Sequence, residues 1–311
     1  MRRPLPRGAG LAAALVVLIA AASLASPHFL NPINLLNVLR QVAMYGILGI
    51  GMTFVILTRG IDLSVGSTVA LTGVSGALLL ASGLPIPLMI IACLLLGIGI
   101  GSANGLAVSL WRIPPFIATL GVMVMVRGFA LMLADGGTVN PGVAGDAFFW
   151  LGGGFLLGVP TPIYVFVAVC VAAAVVLGLT PFGRAIYAVG SNEEAARLSG
   201  INVGLVTFAV YAICGLLAAL SGLIFLSRLS VGDPNSGLGL ELEAITIAVI
   251  GGTSLFGGEG GVLGTVGGAM VLAIIANVLN LAGVSPFSQQ VVKGAIIILA
   301  VLLEAGRRPR N

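Results

Sequence analysis

Ten long apolar runs constrain the fold of this chain more than any other feature. Crossing the hydrocarbon core of a bilayer as a helix takes about 20 mostly apolar residues, and the runs lack the alternation typical of membrane barrel strands. The chain is 59% hydrophobic and 8% charged, which is too little polar surface for a water-soluble globule. The sequence predicts an all-α integral membrane protein of one domain, 1–311, with ten transmembrane helices. The predicted spans are 9–26, 42–58, 67–83, 87–110, 116–133, 162–180, 205–228, 242–257, 262–281 and 286–304.

The arginines predict how these helices are oriented. With the N-terminus inside, only Arg40 and Arg228 lie outside, whereas the opposite orientation violates the positive-inside rule. We expect both termini in the cytoplasm, and we interpret the net charge of +4 as an orientation signal rather than as a sign of nucleic-acid binding. The first run could be a cleavable signal, but it exceeds the usual core of about 7 to 15 residues, so we predict an anchor. The arginines assigned to the cytoplasm are Arg2, Arg3, Arg7, Arg59, Arg112, Arg184, Arg197, Arg307, Arg308 and Arg310.

Three segments between the spans are long enough to carry structure. Residues 27–41 mix apolar and polar side chains and predict a short helix at the outer interface. Residues 134–162 are rich in glycine and proline and predict a loop on the outer side. The loop either stays at the surface or partly re-enters the membrane. Residues 181–204 form the one sizeable cytoplasmic segment.

The residue inventory excludes the common enzyme classes. The chain has a single histidine, His28, which rules out most metal clusters. Its only lysine, Lys293, stands between Val292 and Gly294 and so cannot complete a phosphate-binding GxxxxGK[ST] loop. The three cysteines fall inside apolar runs and are interpreted as core packing. We expect no catalytic residue, no metal and no cofactor in this chain.

The cytoplasmic segment carries the signals of a short helix. Ser191 and Glu194 have the spacing of a capping box, which predicts a helix start at Ser191. Gly200 predicts that the helix ends just after Ser199, because glycine readily adopts the left-handed conformation found there. Arg197 suits the last turn, because a positive charge is favourable near the C-terminus of a helix. An ordered loop is the alternative.

Two glycine-containing interruptions break the apolar pattern. In 58–67, Arg59 and Asp62 stand between two runs, where Asp62 could cap the next helix and Arg59 could offset its charge. The segment is either a tight cytoplasmic turn or a broken helix near a transport path. The similar interruption at 250–261 hints at a parallel internal repeat.

Glycines recur at four-residue spacing within several runs. Such spacing places small surfaces on one face of a helix and favours close helix packing. The pairs are Gly97/Gly101, Gly101/Gly105 and Gly264/Gly268.

Four blocks, read in order, resemble the permeases of ribose/xylose-type ABC importers, and the resemblance extends over residues 32–303. Within the third block, Glu194-Ala-Ala-x3-Gly200 is similar to the EAAxxxG coupling signature of ABC permeases, although the downstream proline of its fullest form is missing. The blocks are Gly60-Ile-Asp-Leu-Ser-Val-Gly-Ser67, Pro115-Phe-Ile-Ala-Thr-Leu-Gly121, Gly190-Ser-Asn-Glu-Glu-Ala-Ala-Arg-Leu-Ser-Gly-Ile-Asn202 and Ile250-Gly-Gly-Thr-Ser-Leu255.

The resemblance implies a type II, vitamin B12 permease-like fold in a bacterial inner membrane. It also implies a second permease chain, identical or paralogous, two cytosolic ATPases that carry ATP and Mg, and a periplasmic or lipid-anchored sugar-binding protein. The residues it implies for ATPase coupling are Arg184, Ser191, Glu193, Glu194, Ala195, Arg197 and Gly200.

Polar side chains within or beside the spans are candidates for the solute pathway, because such groups are costly in lipid unless they are paired or face water. Arg127 and Lys293 could instead pair with Glu241, Glu243 or Asp135, and we slightly favour this structural pairing. The candidates are Asp62, Asn104, Arg127, Asn277, Asn280, Gln290 and Lys293.

Three other functions compete with sugar import by an ABC permease. A related permease could carry an autoinducer sugar, a nucleoside or an amino acid, and the sequence does not distinguish these solutes. An ion-coupled secondary transporter would have no motor for the predicted cytoplasmic helix to contact. A membrane-embedded transferase would need clustered acidic or histidine chemistry, which the sequence does not offer.

Overall fold

The computed structural model describes residues 9–142 and 146–305. Within these ranges, two strands, β1 (Phe155–Leu156) and β2 (Val159–Pro160), pair as an antiparallel hairpin. The remaining elements are helices α1 (Ala9–Ala25), α2 (Pro32–Leu57), α3 (Val65–Ala81), α4 (Ile86–Ser109), α5 (Pro115–Leu133), α6 (Asp146–Gly153), α7 (Thr161–Leu179), α8 (Pro181–Ser191), α9 (Glu193–Leu198), α10 (Val203–Leu229), α11 (Leu240–Ile250), α12 (Val262–Leu281) and α13 (Pro286–Ala305).

Several of these helices are membrane-spanning in length and composition. Among the described residues, six helices are long and apolar enough to cross a membrane, namely α2, α4, α5, α7, α10 and α12. Prolines within the first two positions begin α2, α4, α5, α7 and α8, where the missing N–H costs no hydrogen bond. The chain is therefore a multi-pass membrane protein, as its apolar runs predict.

Helix α2 is the central element of the bundle. Every residue from Gly46 to Leu57 is buried, and the helix packs against α7, α10, α11 and α12. The predicted separate helix within 27–41 is wrong, because α2 runs unbroken from Pro32. The physical reason is that residues 33–45 contain no glycine or proline to stop it. Asn31 caps this start by accepting a hydrogen bond from the Ile33 N–H.

Helix α11 is shorter than the span predicted at 242–257. It ends at Ile250, because Gly251 follows as the cap and Gly252 has a φ of +85°. Its 11 residues extend about 16 Å, roughly half the hydrocarbon thickness. Residues 251–261 then connect to α12 without regular structure.

The glycine pairs mark close contacts between helices, as predicted. A Cβ on Gly101 of α4 would lie 2.2 Å from the Tyr211 carbonyl oxygen of α10. A Cβ on Gly97 would lie 2.5 Å from the Gly215 oxygen of the same helix. Gly264 and Gly268 of α12 approach the backbone of α11 in the same way. Small residues thus let α4 and α10, and α11 and α12, pack backbone against backbone.

The loops gather at two ends of the bundle. At the first, called the α6 end, the Arg40 guanidinium lies 5.1 Å from the Phe155 ring centroid and Val139 bridges to Gly232. At the opposite end, called the α8 end, Arg59 contacts α8 and Gly258 bonds to Leu57. The predicted outer loop 134–162 therefore contains α6 and the hairpin, and Ser227 of α10 fixes α6 by bonding to Phe148 and Gly152.

The two ends match the charge-based grouping of the loops. Arg59, Arg184 and Arg197 share the α8 end, while Arg40 and Arg228 lie near one another at the α6 end. The predicted terminal arginines Arg2, Arg3, Arg7, Arg307, Arg308 and Arg310 lie outside the described residues.

Candidate functional site

Two short helices, α8 and α9, form the cytoplasmic segment predicted at 181–204. The predicted capping box is wrong, because Ser191 is the last residue of α8 and Asn192 is the N-cap of α9. Asn192 has extended backbone angles, and its side-chain oxygen accepts a hydrogen bond from the Ala195 N–H at 3.0 Å. Asn192 is the cap because an N-cap residue must have a non-helical backbone, whereas Ser191 is still helical. The predicted end is confirmed, since Gly200 follows Ser199 with a φ of +84°.

The predicted coupling residues form one exposed surface at the α8 end. Glu193 and Arg197 are joined by a salt bridge of 2.6 Å whose side chains are more than half exposed. Ala196 is buried beneath them, whereas Leu198 projects with 84% of its surface exposed. A cleft between α9 and Arg59 is lined by Asn192, Glu194 and Leu198. The residues of the predicted set that are exposed are Arg184, Ser191, Glu193, Glu194, Ala195, Arg197 and Gly200.

We expect Asn192→Ala to loosen α9, because it removes the side chain that satisfies the Ala195 N–H. Loss of such a cap costs about 1 kcal/mol, so amide hydrogen exchange over 195–198 should accelerate about fivefold. Ser191→Ala is the matched control, since Ser191 ends α8 and does not cap α9. Faster exchange in Ser191→Ala, with none in Asn192→Ala, would restore the capping box.

Arg59 ties this pair of helices to the centre of the bundle. Its Nε donates to the Gly190 oxygen at 2.7 Å and its Nη2 to the Ser191 oxygen at 2.6 Å. These are carbonyls of the last turn of α8, which lack partners within their own helix and attract a positive charge. The predicted pairing of Arg59 with Asp62 is wrong, because the guanidinium is directed to α8. The backbone of Arg59 has a left-handed φ of +65°, and the chain turns at this residue immediately after α2.

Residues 251–261 complete the same junction. The Gly258 N–H donates to the Leu57 oxygen at 3.0 Å, and the Tyr187 hydroxyl donates to the Gly260 oxygen at 3.0 Å. A Cβ on Gly190 would lie 1.7 Å from the Leu57 oxygen, so only glycine fits there. The two interrupted segments therefore meet beneath α8. Sequence reasoning did not find this contact, although the unusual arginine directly after an apolar run was a signal.

A second polar cluster lies deeper, around the turn between α2 and α3. Oδ1 of Asp62 accepts hydrogen bonds from the Ser64 N–H at 2.9 Å, the Ser64 hydroxyl at 2.7 Å and the Asn104 amide at 3.2 Å. The Cys214 thiol lies beside the same carboxyl. Asp62 and Asn104 are both fully buried. Asp62 does not cap α3 as predicted, because Ser64 takes the N-cap position and Asp62 bonds to it instead.

The cluster leaves two acceptors unsatisfied. Among the described residues, neither Oδ2 of Asp62 nor Oδ1 of Asn104 has a hydrogen-bond partner. Burial raises the pKa of the Asp62 carboxyl, which lies in the turn outside both flanking helices, while its hydrogen bonds oppose the rise. Asp62 connects the start of α3 to α4 through its hydrogen bonds with Ser64 and Asn104.

We expect Asp62→Asn to fold almost as stably as the parent chain, because the amide keeps an oxygen to which Ser64 and Asn104 can donate and avoids the cost of burying a charge. Asp62→Ala should lower the free energy of unfolding by about 3 kcal/mol, since it leaves buried polar partners and a cavity. Thermal unfolding of both variants in detergent checks this. Equal destabilisation by the two substitutions would mean that the ionised carboxylate is required.

The remaining pathway candidates mostly bond to neighbouring helices or loops. Asn277 and Asn34 exchange amide hydrogen bonds of 3.0 and 2.8 Å, and Asn280 accepts from Gln289 at 2.8 Å. Lys293 forms a salt bridge with Glu243, so the favoured structural pairing is confirmed for this residue. Gln290 is exposed.

Arg127 has no salt-bridge partner among the described residues, and it donates to the Pro234 and Ser236 oxygens. Contact of any of these candidates with a solute stays a prediction. Within the described part of the chain, no group of three His, Cys, Asp or Glu residues is placed to hold a metal ion.

Comparison with known proteins gives matches over most of the chain. Residues 34–301 match the family described as the permease component of the branched-chain amino acid transport system. The ribose import permease protein RbsC of Escherichia coli K12 is 47% identical over 94% of this chain and 91% of its own length. RbsC of Bacillus subtilis 168 is 45% identical over 93% and 90%. The xylose transport system permease protein XylH of Escherichia coli K12 is 37% identical over 91% and 87%. No solved structure matches.

Proposed function

Because the chain belongs to the permease-component family that its residues 34–301 match, we propose that it is the membrane subunit through which an ABC importer moves a ribose-like monosaccharide inward. Permeases of this kind are transport subunits and not enzymes. The observation that carries the proposal is the 47% identity to a ribose import permease over nearly the whole of both chains. The fold agrees, since its helices span a membrane and two capped helices project from one end.

Ribose is favoured over xylose as the solute. Two relatives named as ribose import permeases share 47% and 45% identity with this chain, whereas the xylose permease shares 37%. Xylose- or galactose-like sugars are the second choice, and other small polar solutes the third. The external binding protein would select among them, so we expect its bound sugar to be the transported one.

The partners follow from the type of transporter. A cytosolic ATPase pair would bind the exposed surface of α8 and α9 and would hold the ATP and Mg, while a second permease chain would complete the pathway. A periplasmic or lipid-anchored sugar-binding protein would dock at the α6 end. We further propose a type II permease fold with ten crossings, counting α11 together with its neighbouring loop.

The same proposal places the chain in a bacterial inner membrane, with the α8 end and both termini in the cytoplasm. Four arginines in the segments described at that end support this orientation: Arg59, Arg112, Arg184 and Arg197. Reporter fusions after Gly142 and after Asn192 should report opposite sides, external and internal respectively. Reporters on one side would contradict the arrangement.

Affinity purification from native membranes tests the partners. We expect the permease to bring down an ATPase and a sugar-binding protein, and ribose should compete for the latter's site. Purification of the chain as a stable transporter without an ATPase would contradict the proposal. Identification of a nucleoside- or amino-acid-binding partner would keep the importer and replace the solute.

A further inference from the structure

Residues 230–239, between α10 and α11, run into the bundle instead of crossing its end. A Cβ on Gly232 would lie 2.8 Å from the Ala77 Cβ, and one on Gly237 would lie 2.2 Å from the Gly66 oxygen. Ala77 and Gly66 both lie on α3, and their separation of 11 positions corresponds to about 16 Å of helix. The segment therefore enters from the α6 end and descends along α3 to its first turn.

Arg127 holds the segment at this depth. The residue lies within the membrane-spanning helix α5, and its Nη1 donates to the Ser236 oxygen at 2.9 Å and to the Pro234 oxygen. Asp233 and Glu241 are the opposite charges near it. A cation that binds two backbone carbonyls satisfies polar groups of an irregular segment inside the membrane. The short helix α11 then starts at Leu240, within the bundle.

One edge of this re-entrant segment is uncovered. Asn235 is exposed, Leu238 is 66% exposed and Leu242 of α11 is 47% exposed. Irregular backbone at membrane depth occurs only where it is buried in protein or lines a water-filled cavity, because lipid cannot satisfy its polar groups. The exposed edge therefore does not face hydrocarbon.

We propose that the exposed edge of residues 235–242 lines the solute pathway and contacts the solute there. This rests on the proposed function and deepens it. The edge presents a neutral polar group, the exposed side-chain amide of Asn235, beside the apolar Leu238. Such donors and acceptors suit an uncharged polyhydroxylated solute and disfavour an ion.

The test is thiol accessibility in the intact importer. Asn235→Cys and Leu238→Cys are treated in membranes with a hydrophilic, membrane-impermeant thiol reagent. Met125→Cys is the matched control, because Met125 is 59% exposed and lies two residues from Arg127 on α5. We expect the two loop cysteines to react at least about tenfold faster than Met125→Cys, since a thiolate forms only in water. Their modification should block sugar uptake, whereas modification at Met125 should not.

The remaining outcomes are decisive. Reaction of both loop cysteines no faster than Met125→Cys would overturn the proposal, because the edge would then be covered by lipid or by the second permease chain. Fast reaction without loss of uptake would also overturn it, since the edge would be wet but outside the pathway. The parent chain, with Cys93, Cys170 and Cys214, gives the background. Failure of the parent complex to import sugar at all would instead count against the proposed function.

Discussion

Gly101→Val is expected to abolish most of the folded permease. A Cβ at this position would lie 2.2 Å from the Tyr211 oxygen and 3.0 Å from its carbonyl carbon, so α4 and α10 would have to separate. Backbone cannot move aside as a flexible side chain can, and we expect a loss of about 3 kcal/mol or more in the free energy of unfolding. The measurement is the yield and thermal stability of the detergent-extracted chain.

Gly99→Val is the control for this experiment. Gly99 lies two residues earlier on the same helix, and a Cβ added there would have no neighbouring atom within 4 Å. The two variants share their helix propensity and their added volume, so only the contact with α10 differs. A stable Gly101→Val protein, or an equally damaged Gly99→Val protein, would show that the α4–α10 approach does not limit stability.

Arg59→Met is expected to leave ATPase association nearly intact while transport per ATP hydrolysed falls about tenfold, within the usual range of coupling free energies. The substitution keeps the aliphatic stem beside Gly257 but removes both hydrogen bonds to the end of α8. Helices α8 and α9 would still bind the motor, yet their movement would no longer reach α2. Uptake and ATP hydrolysis are measured together in reconstituted vesicles.

Arg112→Met is the matched control for this second substitution. Arg112 is exposed in the loop between α4 and α5, and it shares both the left-handed backbone, with a φ of +53°, and the loss of one cytoplasmic charge. Normal coupling in Arg59→Met, or equal uncoupling in Arg112→Met, would contradict a role for the α8 contact. Loss of ATPase binding in Arg59→Met would show that Arg59 holds the docking surface instead.

Much of the helical framework was predictable because apolar length alone dictates membrane helices. The predicted boundaries failed where tertiary context was needed. The start of α2 depended on the absence of a breaker in 33–45, and the end of α11 on the Gly251-Gly252 pair, inside what looked like one apolar run. The depth of residues 230–239 could not be predicted either, because it depends on contacts of Gly232 and Gly237 with α3.

The site was predictable in its parts but not in its connections. Gly200 and the exposed residues of α9 could be identified from local helix chemistry, although Asn192 rather than Ser191 proved to be the cap. The partner of Arg59 lies 131 residues away in sequence, and no local pattern gives such a contact. Asp62 and Asn104 were predicted separately as polar groups in the membrane, and only the fold shows that they bond to each other.

The chain is the membrane subunit of an ATP-driven sugar importer, and it depends on a separate ATPase for energy. The most direct test of this dependence places the purified chain in vesicles with its cognate ATPase and sugar-binding protein, and measures uptake of labelled ribose. We predict uptake only when all components and ATP are present, with no ATP hydrolysis by the permease alone. Ribose uptake by the permease alone, driven by an ion gradient, would contradict the account.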